Sequence, residues 1–280
     1  MSQTETQRWT PDRGQYSTLS TDRLRSSFLV ESLFLADEIG LVITDLDRVV
    51  VGGVVPRERS LKLEAPDELR VSHFCQRREL GIFNVGGSGS VHVDGESFEL
   101  DESECLYVGL GRQEVSFQSS DLSNPAKFYL LSYPAHASYP TQKATLTDAN
   151  VVDLGSDQQC NRRTIYQYIH EGGIQSCQLV MGLTKIHSGC CWNTMPCHTH
   201  SRRSEVYFYF GIDTAHQVLH QMGLPQETRG LWISNEQAVL SPAWSIHCGV
   251  GTSAYSFIWG MGGENQSFDD MDAVTIADLR

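Results

Sequence analysis

Residues 197–205 read Cys197-His198-Thr199-His200-Ser201-Arg202-Arg203-Ser204-Glu205. In an extended chain, residues two apart point the same way, so His198 and His200 present both imidazoles to one face. Glu205 lies an odd number of residues beyond His200, so a turn or bulge must intervene before its carboxylate can join them. The polar run Ser201 to Ser204 suits such a turn. From Glu205 the alternation resumes, with Glu205, Tyr207 and Tyr209 on one face and Val206, Phe208 and Phe210 on the other.

About forty residues on stands Ser241-Pro242-Ala243-Trp244-Ser245-Ile246-His247. His198, His200 and Glu205 are candidate metal ligands and His247 is the fourth candidate, although spacing alone does not bring it to the other three. Three imidazoles and one carboxylate suit zinc best, and manganese or iron also, so the ligand types leave the ion open. Cys197 alternates with His198 and is expected to face away from the site.

Working outward, helix signals are few. Thr21 to Phe34 is expected to form one amphipathic helix with Thr21 as N-cap. Elsewhere short apolar runs are broken by Gly, Asp, Asn and Pro. Val49–Val51, Leu80–Val85, Val91–Val93, Phe128–Leu131, Val206–Phe210 and Phe257–Trp259 read as strands of an all-β protein. A weak repeat is visible. Arg77-Arg78-Glu79 before one strand resembles Arg202-Arg203-Ser204-Glu205 before another, and Asp101–Gly109 matches Asn235–Trp244 in pattern. Two related barrels in tandem explain both matches. The expected division is an N-terminal segment (1–40) with a short helix, a first barrel (41–139), and a linker with a metal-binding second barrel (140–280). In the first half the matching stretch His73–Glu79 offers at most three ligands, His73, Cys75 and Glu79, no histidine follows at the place of His247, and this barrel is expected to be a scaffold without metal.

The charge balance excludes some classes of function. With 34 acidic against 21 basic side chains, the net charge of −13 disfavours non-specific nucleic-acid binding. No apolar run approaches the roughly 18 residues that cross a bilayer, and the polar stretch from Met1 to about Gln15 has no secretory core. The eight cysteines are irregularly spaced and read as reduced thiols of a cytoplasmic protein.

The pairing of H-x-H-x(4)-E with a later P-x-x-x-x-H resembles the two motifs of the cupin superfamily, whose histidines and glutamate line a small barrel and bind one metal. Trp244 and Gly251 depart from the usual glycine and asparagine of that pattern. Further strings carry a closer resemblance: Phe28–Glu31, Asp47–Gly53, Asn161–Ile165, Trp192–His200 and Phe257–Met261. Together they resemble the family of cupin ketol-isomerases that act on 5-keto-4-deoxyuronate. The resemblance implies tandem double-stranded β-helix barrels (a bicupin), one zinc ion on the four named residues, a homohexamer, and a cytoplasmic role in breaking down pectin-derived uronates.

That chemistry passes through an enediolate, which a Lewis acid stabilises while a base shuttles the proton. Glu205, Tyr207 and Tyr209 are the candidate proton carriers. Arg163, Arg203 and Arg229 are the candidate partners of the substrate carboxylate, because guanidinium binds carboxylates bidentately. The cluster Asp269-Asp270-Met271-Asp272 reads as a solvated terminal turn. Two other classes use the same ligand set: a metal cupin dioxygenase acting on a small metabolite, and a sugar-acid-binding cupin without turnover.

Overall fold

The computed structural model describes residues 3–280. It is all-β, with a single α-helix among the described residues. The described chain separates into two compact units, one of residues 3–8, 32–149 and 168–180, the other of 9–31, 150–167 and 181–280.

The first unit has a seven-stranded sheet in the order Gln3–Arg8, Ile39–Thr44, Val50–Val54, Phe128–Pro134, Arg78–Asn84, Cys105–Val108, Gln142–Ala144. A four-stranded sheet, Leu61–Lys62, Val115–Ser119, Gly89–Val93, Glu96–Leu100, completes it. Ile82, Leu106, Phe117, Phe128 and Leu130 belong to the closed apolar core of this unit. Burying each such side chain contributes about 1.5–3 kcal/mol. Glycine is required at position 53, where a Cβ would lie 2.4 Å from the Leu33 carbonyl oxygen.

The second unit repeats the arrangement. Its seven strands run Asn150–Leu154, Arg163–Ile169, Val180–Ile186, Ser256–Gly263, Arg203–Phe210, Gln237–Ser241, Leu29–Val30. Its four run Trp192–Asn193, Ile246–Gly251, Val218–Leu224, Glu227–Ile233. The repeat in the sequence is therefore a repeat in topology: Arg78–Asn84 and Arg203–Phe210 hold the same place in their sheets, as do Cys105–Val108 and Gln237–Ser241. The expected strands are all present, their limits shifted by a residue or more.

Three expectations are corrected. The helix covers only Thr21–Phe28, and its N-cap is Ser20, whose hydroxyl accepts from the Arg23 amide. Leu29 and Val30 leave the helix because they pair with Val239 and Ala238 at the sheet edge, a tertiary demand that overrides local propensity. Residues 1–40 do not stand as a separate segment. Trp9–Glu31 belongs with the second unit, where the Tyr16 hydroxyl donates to the Met222 carbonyl at 3.1 Å and Trp244 packs edge-on against Tyr16 and Phe28. That packing accounts for a large aromatic residue at position 244. Finally, the expected linker at the start of 140–280 is not a plain connection. Gln142–Ala144 closes one sheet and Asn150–Leu154 edges the other, so the seam falls at 149/150.

No helix among the described residues is long and apolar enough to cross a membrane.

Candidate metal centre

The strand Arg203–Phe210 lies between Ser256–Gly263 and Gln237–Ser241, paired on both sides and buried along its length. It fixes Glu205 and Tyr207 on the interior face. Ser201 and Arg202 make the anticipated turn, closed by the Arg203 amide donating to the His200 carbonyl, and this restores the face lost by the odd spacing. His198 sits on the two-residue strand His198–Thr199, and His247 on Ile246–Gly251.

These elements bring His198, His200, Glu205 and His247 together, one ligand atom from each within 4.8 Å of the others. His198 Nε2 lies 3.1 Å from the Nε2 atoms of both His200 and His247. Glu205 Oε2 is 3.1 Å from His200 Nε2 and 3.0 Å from His247 Nε2. All four residues but His198 are almost wholly buried.

The protonation pattern shows what such a cluster can hold. His200 Nδ1 is 2.7 Å from the Asp270 carbonyl oxygen. A carbonyl only accepts, so the proton is on Nδ1 and the Nε2 lone pair faces inward. His247 Nδ1 similarly faces Ser241 Oγ at 3.2 Å. Burial, with His247 and His200 beside it, pushes His198 down to about 2, so its ring is neutral. Burial opposes ionisation of Glu205, but His247 and His200 outweigh it and hold the carboxyl well below the usual carboxylate range. Imidazole nitrogens and a carboxylate oxygen that converge on one point repel each other unless protons or a cation lie among them, and the donor set fits a divalent metal ion.

The cluster opens into a cavity of about 330 Å³. Arg163 and Thr194 line it, and Phe257, Trp259 and Met261 supply an apolar wall. Tyr207 lines the cavity, its hydroxyl 3.3 Å from Thr194 Oγ1. Burial and then the Glu205 charge drive its pKa well above the ordinary phenol value, so the phenol stays protonated. Glu205 is the only carboxylate among the described residues that line this space.

Several candidates fall elsewhere. Tyr209 points deeper into the unit, where its hydroxyl meets His220 Nδ1 at 2.7 Å and it does not reach the cavity. Arg229 is committed to the Leu19 carbonyl through both Nη1 and Nη2 at 3.1 Å. Arg203 is 1% exposed and donates to the carbonyls of Ser267, Phe268 and Asp270. Neither arginine lines the cavity, because each anchors a chain segment instead; Arg163 does line it. In the first unit, Glu79 accepts from the Tyr107 hydroxyl and from the amides of Cys177, Gln178 and Leu179 at 2.6–2.8 Å. Its carboxylate is thus used in building the chain.

The segment 265–273 was not anticipated at the site. Asp272–Ala273 pairs with His198–Thr199, and Phe268, Met271 and Ala273 line the cavity. The Asp269–Asp272 cluster is therefore part of the centre's wall and not a plain solvated turn. Its only sequence signal was the density of carboxylates at 269–272 itself.

A family model described as the KduI/IolB family matches residues 29–276. The chain belongs to the KduI/IolB family. Among its relatives, the 4-deoxy-L-threo-5-hexosulose-uronate ketol-isomerase of Enterobacter sp. is 54% identical over 94% of this chain and 95% of its own length. The enzyme of the same name from Lachnoclostridium phytofermentans is 53% identical over 93% and 95%. Of solved structures, an IolB-like protein from Salmonella typhimurium shares the fold, with TM-score 0.64 and 13% identity over 78% of this chain and 85% of that one. An oxalate decarboxylase from Bacillus subtilis does so with TM-score 0.55 and 11% identity, over 78% and 70%.

Proposed function

We propose that this KduI/IolB-family protein is a metal-dependent ketol-isomerase. It converts 5-keto-4-deoxyuronate (5-dehydro-4-deoxy-D-glucuronate) to 3-deoxy-D-glycero-2,5-hexodiulosonate in the breakdown of pectin-derived uronates. The observation that carries this reading is that His198, His200, Glu205 and His247 open into the same cavity as Arg163 and Tyr207. The names of relatives more than 50% identical over nearly the whole chain agree with it.

Zinc is the proposed ion, on the family resemblance, and the three imidazoles and one carboxylate are compatible with it. Bound there, it would supply Lewis acidity that stabilises negative charge on the substrate oxygens. The chain's own groups supply the rest. Arg163 donates through Nη1 to the Asn161 carbonyl at 2.9 Å, and the remainder of its fork meets the substrate carboxylate. Glu205, the one carboxylate among the described residues at the cavity wall, takes the proton from the hydroxyl-bearing carbon and returns it to the former carbonyl carbon. Tyr207, protonated at neutral pH, donates to the oxygen where charge develops. Phe257, Trp259 and Met261 keep water from the reacting carbons. Tandem double-stranded β-helix barrels, a homohexameric assembly and a cytoplasmic location complete the proposal. The repeated sheet order supports the first and the family resemblance the second; all eight cysteines being free suits the third.

The test is to supply 5-keto-4-deoxyuronate to the purified protein under anaerobic conditions, with and without chelator, and to follow product by NMR. Turnover that stops with chelator and returns with zinc is the expected result. Absence of turnover by the zinc-loaded protein, or a requirement for oxygen, overturns it.

A further inference from the structure

Two adjacent arginines grip one segment from opposite sides. Arg203, inside, donates to the carbonyls of Ser267, Phe268 and Asp270. Arg202, outside, donates from Nε to both carboxylate oxygens of Asp270 at 2.6 and 2.8 Å and from Nη2 to Asp272 at 3.2 Å. Asn265 Nδ2 also donates to Asp270 at 2.5 Å, and Ser201 Oγ to Asp272 at 2.7 Å. The residue so tightly held by its side chain is the one whose main-chain carbonyl accepts the His200 Nδ1 proton at 2.7 Å.

From this juxtaposition we infer that Asp270 is a positioning residue for the metal centre, and that the Arg202–Asp270 pair sets the orientation and tautomer of His200. A carbonyl opposite Nδ1 keeps the proton on that nitrogen and the lone pair of Nε2 directed at the ligand cluster. Here the carboxylate of the same residue is tied to Arg202, which stands two residues from His200 in the turn that joins it to Glu205. The pair therefore closes a short loop: ligand, turn, arginine, aspartate, carbonyl, ligand. This inference rests on the metal centre of the proposed function and not on its substrate.

Zinc alone is the probe, with affinity read by competition against a chromophoric chelator on the full-length protein. Arg202→Gln and Asp270→Asn are each expected to weaken zinc binding by about 10–100-fold, the range seen when groups that orient a ligand are removed. The double variant is expected to be no weaker than the worse single one, since either change breaks the same pair. A structural role alone would lower the melting temperature of the metal-free protein and leave zinc affinity unchanged. Affinities within twofold of wild type, or additive losses in the double variant, overturn the inference. Should Asp270→Asn fail to fold, Arg202→Gln at the surface carries the test by itself. If the wild-type protein takes up no zinc, the metal centre itself falls; if wild type and variants bind equally well, only the role of the pair does.

Discussion

The Nε2 atoms of His198 and His247 lie 3.1 Å apart although their residues are separated by 49 positions in the chain. One proton can bridge two such nitrogens, but His200 Nε2 is also 3.1 Å from His198 Nε2 and its proton is engaged on the far side of its ring. A cation relieves all of these repulsions together. One divalent ion per chain is expected by elemental analysis of the purified protein. His247→Ala is expected to lose most of it, and chelation to lower the melting temperature reversibly, since a ligand bound only to the native state stabilises it. A melting temperature indifferent to chelator and zinc would argue against the centre.

Tyr207 and Tyr209 share a face of one strand but have different surroundings. Tyr207 borders the cavity and Tyr209 is sealed against His220. Tyr207→Phe is expected to lower turnover by about 10²–10⁴-fold, the usual contribution of a positioned proton donor, with metal content unchanged. Tyr209→Phe leaves a buried His220 nitrogen without its partner and should cost about 1–3 kcal/mol of stability, with a much smaller effect on turnover. Steady-state kinetics and denaturant melts on both variants distinguish the roles; equal kinetic losses would contradict the assignment.

The ligand quartet was legible because metal chemistry restricts residue type and strand geometry restricts spacing: His198, His200 and Glu205 needed only a two-residue period and one turn. The tandem organisation was legible through the arginine pairs before two central strands. The rest depended on what lies beside a residue in space. Nothing local separates Arg163, which reaches the cavity, from Arg203, which is buried by its place in the sheet, or Arg229, which holds the chain at Leu19. Asp270 stands 70 residues from His200 and has no periodic relation to it. The helix end at Phe28 was set by a sheet edge more than 200 residues away in the chain.

Those three arginines give a direct comparison. Arg163→Gln removes the guanidinium at the cavity and is expected to raise KM for the uronate at least tenfold, as loss of a charge-assisted bond worth about 1.5–3 kcal/mol would. Arg229→Gln is expected to leave KM unchanged and to cost about 1 kcal/mol of stability through the lost bonds to Leu19. KM values that move together in both variants would show that the cavity wall does not select the carboxylate.

Alkaline pH should unfold the protein through groups buried in their neutral forms. Burial, opposed by Arg78, pushes the Cys75 thiol from its ordinary 9.0 up to about 12. Tyr107 is displaced upward by burial and by Glu79, and Tyr129 by burial. Because the folded pKa exceeds the unfolded one, the unfolded chain loses its proton first as pH rises. The contribution of Cys75 is therefore complete below pH 9 and is lost between 9 and 12, and the tyrosines add to the loss above pH 10. Each group contributes a slope of about 1.4 kcal/mol per pH unit within its window. Calorimetry from pH 7 to 11 should show a melting temperature insensitive to these groups up to about pH 9 and falling steeply beyond it. In Cys75→Ala the melting temperature should be lower at pH 7, where a buried side chain has been cut back, yet fall less steeply between pH 9 and 10. A wild-type melting temperature that holds through pH 11 would mean that these groups reach solvent in the folded protein.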